Sequence, residues 1–573
     1  VSGAEGGRYP LTGIGDVNTY ALFAELIHSL RSVNGRAGFI TPSGIATDDS
    51  TKLYFAHIAT KGSLASFYDF ENREALFPGV HRSFKFALQT LGPAPLADFA
   101  FFLGNTGQLA DARRHFTLRA DEFALINPNT RTCPVFRSAR DAGITKKIYA
   151  KVPVLIRDEE CNPAGTIIRA AENPWGIRFQ TMFHMSNDSS LFRFEPSSGT
   201  LPLYEAKMIH QFDHRWATYA PGAPLPATVR LSDGDDDAAG VRNAREDEKA
   251  NPDFAVRPRY WVDSREVIAR VTRLPQNLVK PWLAGDAAGL RAALDAFSHT
   301  PAAADHPRLS TLPQAASDAD LLAAFETLAR EESPGWLMGW RDITNATNER
   351  TVIASVMPLA GVGNNLPLML FTPTIPTTKH ACLVGNLDST VLDFVARHKV
   401  GGTHLNYFVY KQLPVLPPQA YSTDDILFIV PRVLELTYCS YDMAPWAQDI
   451  WVSSDGNLRA ALLAASDGAR GVGESWIPPA AELETTPWNP ARLPPFPWNP
   501  DRRATLRAQL DARYARLYGL TREELMYILD PASVMGEDYP SETFRVLKNN
   551  EMRDYGEYRT MRLVLEAWDE GEG

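Results

Sequence analysis

Phe77 and Pro78 open the segment FPGVHRSFKFALQTLG, in which an apolar residue precedes the pair and Gly79 follows it. That pattern is a loop at the rim of a sheet. An aromatic ring in such a loop can stack on a base that has left a duplex, because every base offers a π-face. The competing reading is a core phenylalanine beneath a turn. A denser block follows at 201–219, LPLYEAKMIHQFDHRWATY, which sets Lys207, His210, Gln211, Asp213, His214 and Arg215 among apolar residues. It reads either as a buried hydrogen-bond network or as a surface that contacts DNA. His210 and His214 are four apart, but HQFDH lacks the glutamate of HExxH and no third ligand is evident, so no metal site is expected.

Arg341, Asn345, Asn348 and Arg350 form a polar run ahead of a strand expected from Thr351. Forked guanidinium donors and paired amide groups are the chemistry that reads base edges, although the same residues populate ordinary surface loops. Gly361-Val362-Gly363-Asn364-Asn365 lacks the GKS/T of a phosphate loop. A helix expected over 388–398 ends at Gly401-Gly402, and Arg397 and Lys399 near its end either offset the helix dipole or meet phosphate. Asn173-Pro174-Trp175-Gly176 and Asn251-Pro252-Asp253-Phe254 resemble an Asn-Pro-Pro-aromatic motif without its second proline, and both read as turns.

These groups need elements to position them. Apolar residues at spacings of three and four predict an amphipathic helix over 17–33, then a buried strand over 36–41 broken by Pro42, Ser43 and Gly44. Asp49 or Ser50 is expected to cap a helix over 51–61, and 64–70 and 83–91 read as strands, so the order is that of an α/β sheet ending in a hairpin. The glycines before the first helix have no strand ahead of them and read as a loop rather than a cofactor cradle. Helices are expected at 287–297 and 318–330, strands at 351–357 and 366–371, an exposed acidic insert near 232–255, a Pro-rich linker or wrapping segment at 478–500, and helical spacing at 502–518 and 542–568.

The 573 residues, 45% hydrophobic, suffice for several cores, and a net charge of −11 excludes a uniformly basic surface without excluding a local basic groove. Four scattered cysteines point to a reducing cytosol. No apolar run reaches membrane-spanning length and no signal segment opens the chain, so a cytoplasmic location without membrane contact is expected. The start at Val1, without methionine, reads as that of a piece of a longer protein.

GDVNTYALFAELIHSLRSVNGRAGFITPSG, LFPGVHRSFKFAL, LYEAKMIHQFDHRWATY and GGTHLNYFVYKQLPVLPP together resemble the C-terminal part of type IIG adenine-specific DNA methyltransferases of restriction-modification or phage-defence systems. The resemblance covers most of 1–420. It implies the C-terminal half of a Rossmann-type methyltransferase sheet at 1–105, a connector at 106–180, an α+β target recognition domain at 181–420 and a helical region at 421–573. Within it, Thr41 and Pro42 would end the strand flanking the active cleft, Phe77 would stack on a flipped adenine, and Pro78 would shape the loop. The Asn-Pro-Pro-aromatic motif and the glycine-rich S-adenosylmethionine site of that family are absent here, so the chain alone is expected to be inactive and to bind no cofactor. Its expected partners are double-stranded DNA, the missing N-terminal methyltransferase half, and restriction or defence subunits. The rival reading is a non-catalytic protein-interaction subunit whose 201–219 block is core.

Overall fold

A computed structural model describes residues 7–15, 17–161, 165–220, 240–314, 317–473 and 475–571. The chain is a mixed α/β protein with several small sheets. Helix α1, Thr19–Leu30, starts where the Asn18 side chain accepts the Tyr20 N–H. Strand β1, Ala37–Pro42, leads into the short helix α2, Gly44–Thr47, and α3, Lys52–Thr60. Neither Asp49 nor Ser50 caps α3: a 3-10 turn over Asp49–Thr51 runs straight into it, and the Asp49 carboxylate pairs with Lys52 at 2.9 Å instead.

Strands β2, Leu64–Glu71, and β3, Lys85–Leu91, form the expected hairpin. Two further strands, β4 at Ala97–Leu103 and β5 at Phe116–Leu118, complete a sheet of order β1-β3-β2-β4-β5, in which only the β2–β4 pair is parallel. Strand β4 reads ADFAFFL without clean alternation because both of its faces are covered. On one face Phe67, Phe99, Phe101, Phe116 and Phe136 interlock with ring centroids 5.2–6.4 Å apart. Each such buried ring contributes about 1.5–3 kcal/mol over an exposed one. The sheet therefore extends past residue 105, and helices α4, Ala120–Ile126, and α5, Ala139–Lys151, share its core rather than forming a separate connector.

Two four-stranded sheets fill the body. One has the order Gly361–Val362, Thr200–Tyr204, Tyr260–Asp263, Phe192–Arg193, and the other Ala354–Pro358, Trp336–Trp340, Leu368–Phe371, Ile177–Gln180. Helices Ser264–Val271, Gln276–Leu283, Ala287–Ser298 and Asp318–Glu331 pack around Trp282 and Phe325 as a satellite core. Both Asn-Pro segments are turns held by the Asn173 and Asn251 side chains. Most of the acidic stretch SDGDDDAAG lies outside the described residues. From 240 onward the insert is structured rather than an exposed loop: Val241–Asn243 pairs with Ala217–Tyr219, and Lys249, in helix Glu246–Ala250, is buried against Asp213 at 2.7 Å.

The C-terminal region is helical, and 478–500 wraps it, its carbonyls taken by Arg459 and Arg470. Helical spacing over 542–568 resolves into two helices, Arg545–Tyr555 and Arg559–Glu570, because Gly556 takes φ 73°, where glycine ends a helix without strain. One apolar core runs from Ala24 to Trp568, so the first sheet, the 381–416 segment and the C-terminal helices are packed as one body.

A polar hub lies inside it. In helix Thr390–Arg397 the Asp393 carboxylate accepts the Thr351 and Val352 N–H groups and pairs with Arg397 at 2.7 Å. The remaining Arg397 donors reach the carbonyls of Ala346, Asn348, Glu349 and Thr543 at 2.8–2.9 Å. Truncation to Arg397→Ala strands a buried carboxylate and is expected to cost about 3–5 kcal/mol. Urea denaturation followed by circular dichroism checks this.

Candidate nucleic-acid interface

Thr41, Pro42, Phe77 and Pro78 meet at one end of the first sheet. In register, Thr41 lies opposite Ala87 and Pro42 opposite Phe86. Phe86 in turn pairs with Phe70, and the two rings stack at 5.5 Å. Phe77 sits in the β2–β3 connection, its ring T-shaped to Phe86 at 4.9 Å, and is 41% exposed. The core reading of Phe77 does not describe this geometry, since the residue rests on Phe86 and is still substantially exposed. Thr41 is buried with its hydroxyl unpartnered, whereas Pro42 and Pro78 are exposed.

The residue that builds the loop carries no motif. Asn72, fully buried, donates to the Phe77 and Val80 carbonyls at 3.0 and 2.8 Å and accepts the Phe77 N–H at 2.9 Å. The side chain thus adds to the backbone bond from the Asn72 N–H to the Phe84 carbonyl in closing the loop, in which Ala75 turns the chain with φ 53°. What the loop displays is apolar and mixed in charge: Leu76, Val80 and Phe84 are exposed beside His81, Arg82, Glu74 and Arg73, the last paired with Glu71. Below it Phe102, held at φ 59° where β4 is irregular, lies between Arg137 and Lys85 at 4.0 and 5.4 Å. Lys85 also reaches the Gly401 carbonyl at 3.3 Å, tying the sheet to the Gly-Gly turn. The buried Asp69 carboxyl beneath, which accepts the Ser43 hydroxyl, is pushed up by burial.

The polar block at 201–219 is arranged differently. Arg215 is 1% exposed, and its guanidinium donates to the carbonyls of Lys249, Asn251, Phe254 and Cys439. Gln211 donates to the Val352 and Asp388 carbonyls, and His214 meets Asp442 at 3.2 Å. His210 lies on Trp216 at 4.2 Å, and burial holds its pKa well below the usual histidine value. Arg341 donates to the Ile209 and Lys207 carbonyls, and half-buried Lys207 covers the Tyr219 ring. Arg350 and Arg397 are buried and flank Phe544 at 5.3 and 4.6 Å. Lys399 goes elsewhere, donating to the Ile126 carbonyl and the Asn127 side chain, and burial lowers its pKa. Asn345 turns its own loop by accepting the Thr347 N–H, which leaves Asn348 the exposed member of the group. Gln211, Arg215, Arg341, Arg397 and Lys399 thus spend donors on internal acceptors, the network reading of the block, whereas Arg350 is buried with one guanidinium nitrogen unpartnered and Asn348 is exposed.

Among the described residues no group of three or more His, Cys, Asp or Glu side chains could hold a metal, and no helix is long and apolar enough to cross a membrane. The chain matches no protein-family model and no curated protein. Among solved structures, the type IIG restriction endonuclease BpuSI is similar at a TM-score of 0.25 and 11% identity, over 80% of this chain and 50% of that one. This chain thus spans about half the length of that enzyme, and a superposition this loose carries no argument about what the chain does.

Two outcomes follow from the geometry. Asn72→Ala removes three hydrogen bonds from a buried position and is expected to cost about 1–3 kcal/mol and open 72–84 to protease, while Phe77→Ala costs under about 1 kcal/mol. Limited proteolysis alongside denaturation separates the two. Burial opposes ionisation of Asp442, but His214 and the Ser440 hydroxyl outweigh it and bring the pKa down to about 2. A carboxyl depressed in the folded state stabilises above its unfolded pKa, so this contribution, about 2 kcal/mol, is lost as pH falls from about 4 through about 2. Asp442→Asn should flatten that part of the acid-stability curve.

Proposed function

We propose that this chain is the DNA-recognition portion of an S-adenosylmethionine-dependent adenine-N6 DNA methyltransferase of a restriction-modification or defence system, inactive by itself. The observation that carries the reading is Phe77, set against Phe86 at the sheet end beside Pro42, with its backbone held by Asn72 and the residue 41% exposed. The order β1-β3-β2, with β3 antiparallel to both neighbours and the aromatic loop in the β2–β3 hairpin, supports a partial methyltransferase-like sheet. Arg82 and His81 are exposed on the same loop, but Arg73 is ion-paired with Glu71 and Glu74 is exposed beside it, so the reading rests on the ring rather than on a basic groove.

The sequence contains no Asn-Pro-Pro-aromatic motif, and among the described residues no glycine-rich turn follows a strand, so these residues do not fit a cradle for S-adenosylmethionine. Methyl transfer is therefore not assigned to these residues. In this reading they position the base: the loop supplies a stacking ring, and Asn72 fixes where that ring stands before DNA arrives. The proposed partners are duplex DNA, a methyltransferase half that carries the absent motifs, and restriction or defence subunits.

A second reading, a protein-interaction subunit, has its own support. Among the described residues β1 is an unpaired sheet edge, and Phe23, Leu30, Val33 and Ile40 near it are exposed. Duplex binding measured by fluorescence anisotropy across salt concentrations distinguishes the two. The DNA reading expects affinity that falls with salt and varies with sequence, and a Phe77→Ala loss of about 1–3 kcal/mol on duplexes with a destabilised adenine pair. Affinity indifferent to salt, sequence and Phe77 leaves the interaction subunit standing.

A further inference from the structure

Arg137, half-buried just ahead of α5, carries a guanidinium that the internal network leaves out. Among the described residues no carbonyl or hydroxyl accepts from it and no carboxylate lies within ion-pair distance, and its nitrogens reach solvent rather than being sealed in. What it touches is a ring, with the guanidinium carbon 4.0 Å from the Phe102 centroid. A π-face attracts the charge but leaves the five N–H donors without oxygen acceptors.

The carboxylates close enough to act on this charge are Glu71, Asp141 and Glu542, and each has another partner. Glu71 pairs with Arg73 at 2.5 Å and with Lys85 at 3.6 Å, Asp141 accepts the Tyr527 and Ser541 hydroxyls, and Glu542 pairs with Arg545 at 3.3 Å. Burial works against the Arg137 charge, yet a guanidinium stays protonated inside proteins. Lys85 lies 5.4 Å from the same ring, so two cations are drawn to Phe102 and an anion offsets their repulsion. Phe102 itself is held at φ 59°, its N–H donated to buried Asp69 at 3.4 Å. A bulky residue in the left-handed region persists only where its surroundings hold it, and such positions cluster at ligand sites.

The place of this ring in the fold supplies the ligand. Lys85 and Phe86 are consecutive in β3 and leave opposite faces of the sheet, so one sheet end carries Phe77 on its Phe86 side and Arg137 on its Lys85 side. We propose that Arg137, seconded by Lys85, grips a backbone phosphate of the DNA strand whose base reaches Phe77. The forked donors of a guanidinium match two phosphate oxygens at once. Assigning the phosphate to DNA rests on the methyltransferase reading above, whereas the anion site does not, and free phosphate is the other source of the same chemistry.

Duplex affinity of the full chain is measured by fluorescence anisotropy across salt concentrations for wild type, Arg137→Gln, Arg137→Lys and Phe77→Ala, each checked for an unchanged melting temperature. Arg137→Gln is expected to bind about tenfold more weakly at low salt. Its slope of log affinity against log salt is expected to be shallower by about 0.9, the share of one phosphate on a duplex. Both changes should be equal across sequences, because a phosphate carries none. Arg137→Lys, which keeps the charge without the fork, should keep the slope and lose part of the affinity. Wild-type affinity and slope in a folded Arg137→Gln overturn the proposal, and a Phe77→Ala loss in the same series shows that the DNA reading survives it. Should Arg137→Gln not fold, wild-type affinity in Arg137→Lys overturns the proposal instead. Where wild type binds no duplex, its melting temperature is followed with inorganic phosphate at constant ionic strength. A rise that Arg137→Gln abolishes keeps the anion site and removes the DNA reading, and no rise overturns both.

Discussion

The Asp393–Arg397 pair, one helical turn apart in Thr390–Arg397, is the contact on which the remaining packing depends. A guanidinium has five N–H donors and no acceptor, and inside a protein each must be met or the arrangement fails. Here they are met by the loop at 346–349, by Thr543 near the C-terminal helices, and by a carboxylate whose other oxygen holds the backbone at Thr351 and Val352. Asp388, one turn earlier, adds the Ala354 and Phe212 N–H groups. This short helix and Asp388, the C-cap of the helix before it, thus fix the strand entering the second sheet, the 201–219 block and the C-terminal region.

That constraint explains why so much charge is withdrawn from the surface. Arg215, Lys249, Asp213, Arg350, Arg503 and Asp511 are all buried, and the segments they join are far apart in sequence. Apolar packing alone does not specify register between such segments, because any interdigitating arrangement removes similar area from water. Directional bonds from Arg215 to four carbonyls admit only one. The cost is desolvation, which the five hydrogen bonds of Arg397 and the four of Arg215 offset.

The loop around Phe77 stands against this internal network: at the sheet end it is held by a buried asparagine and shows its ring. A stacking surface is useful only if it is already in place when the ligand arrives, since ordering it afterward consumes binding energy.

From residue spacing alone the first three strands, α1 and the hairpin were legible, because each buries a face whose period matches its geometry. The loop at Phe77 was legible too, from Pro78 and Gly79. The role of Asn72 was not, since an asparagine before a charged stretch looks like any turn residue until its partners at 77 and 80 fold back on it. Neither was the continuation of the sheet through Phe116, which depends on rings from five separate positions meeting. The polar block at 201–219 marks the clearest division. Its composition announces hydrogen-bonding chemistry without saying which way the groups point, and solvent or core is decided by chain segments more than a hundred residues away, at 341, 388 and 439.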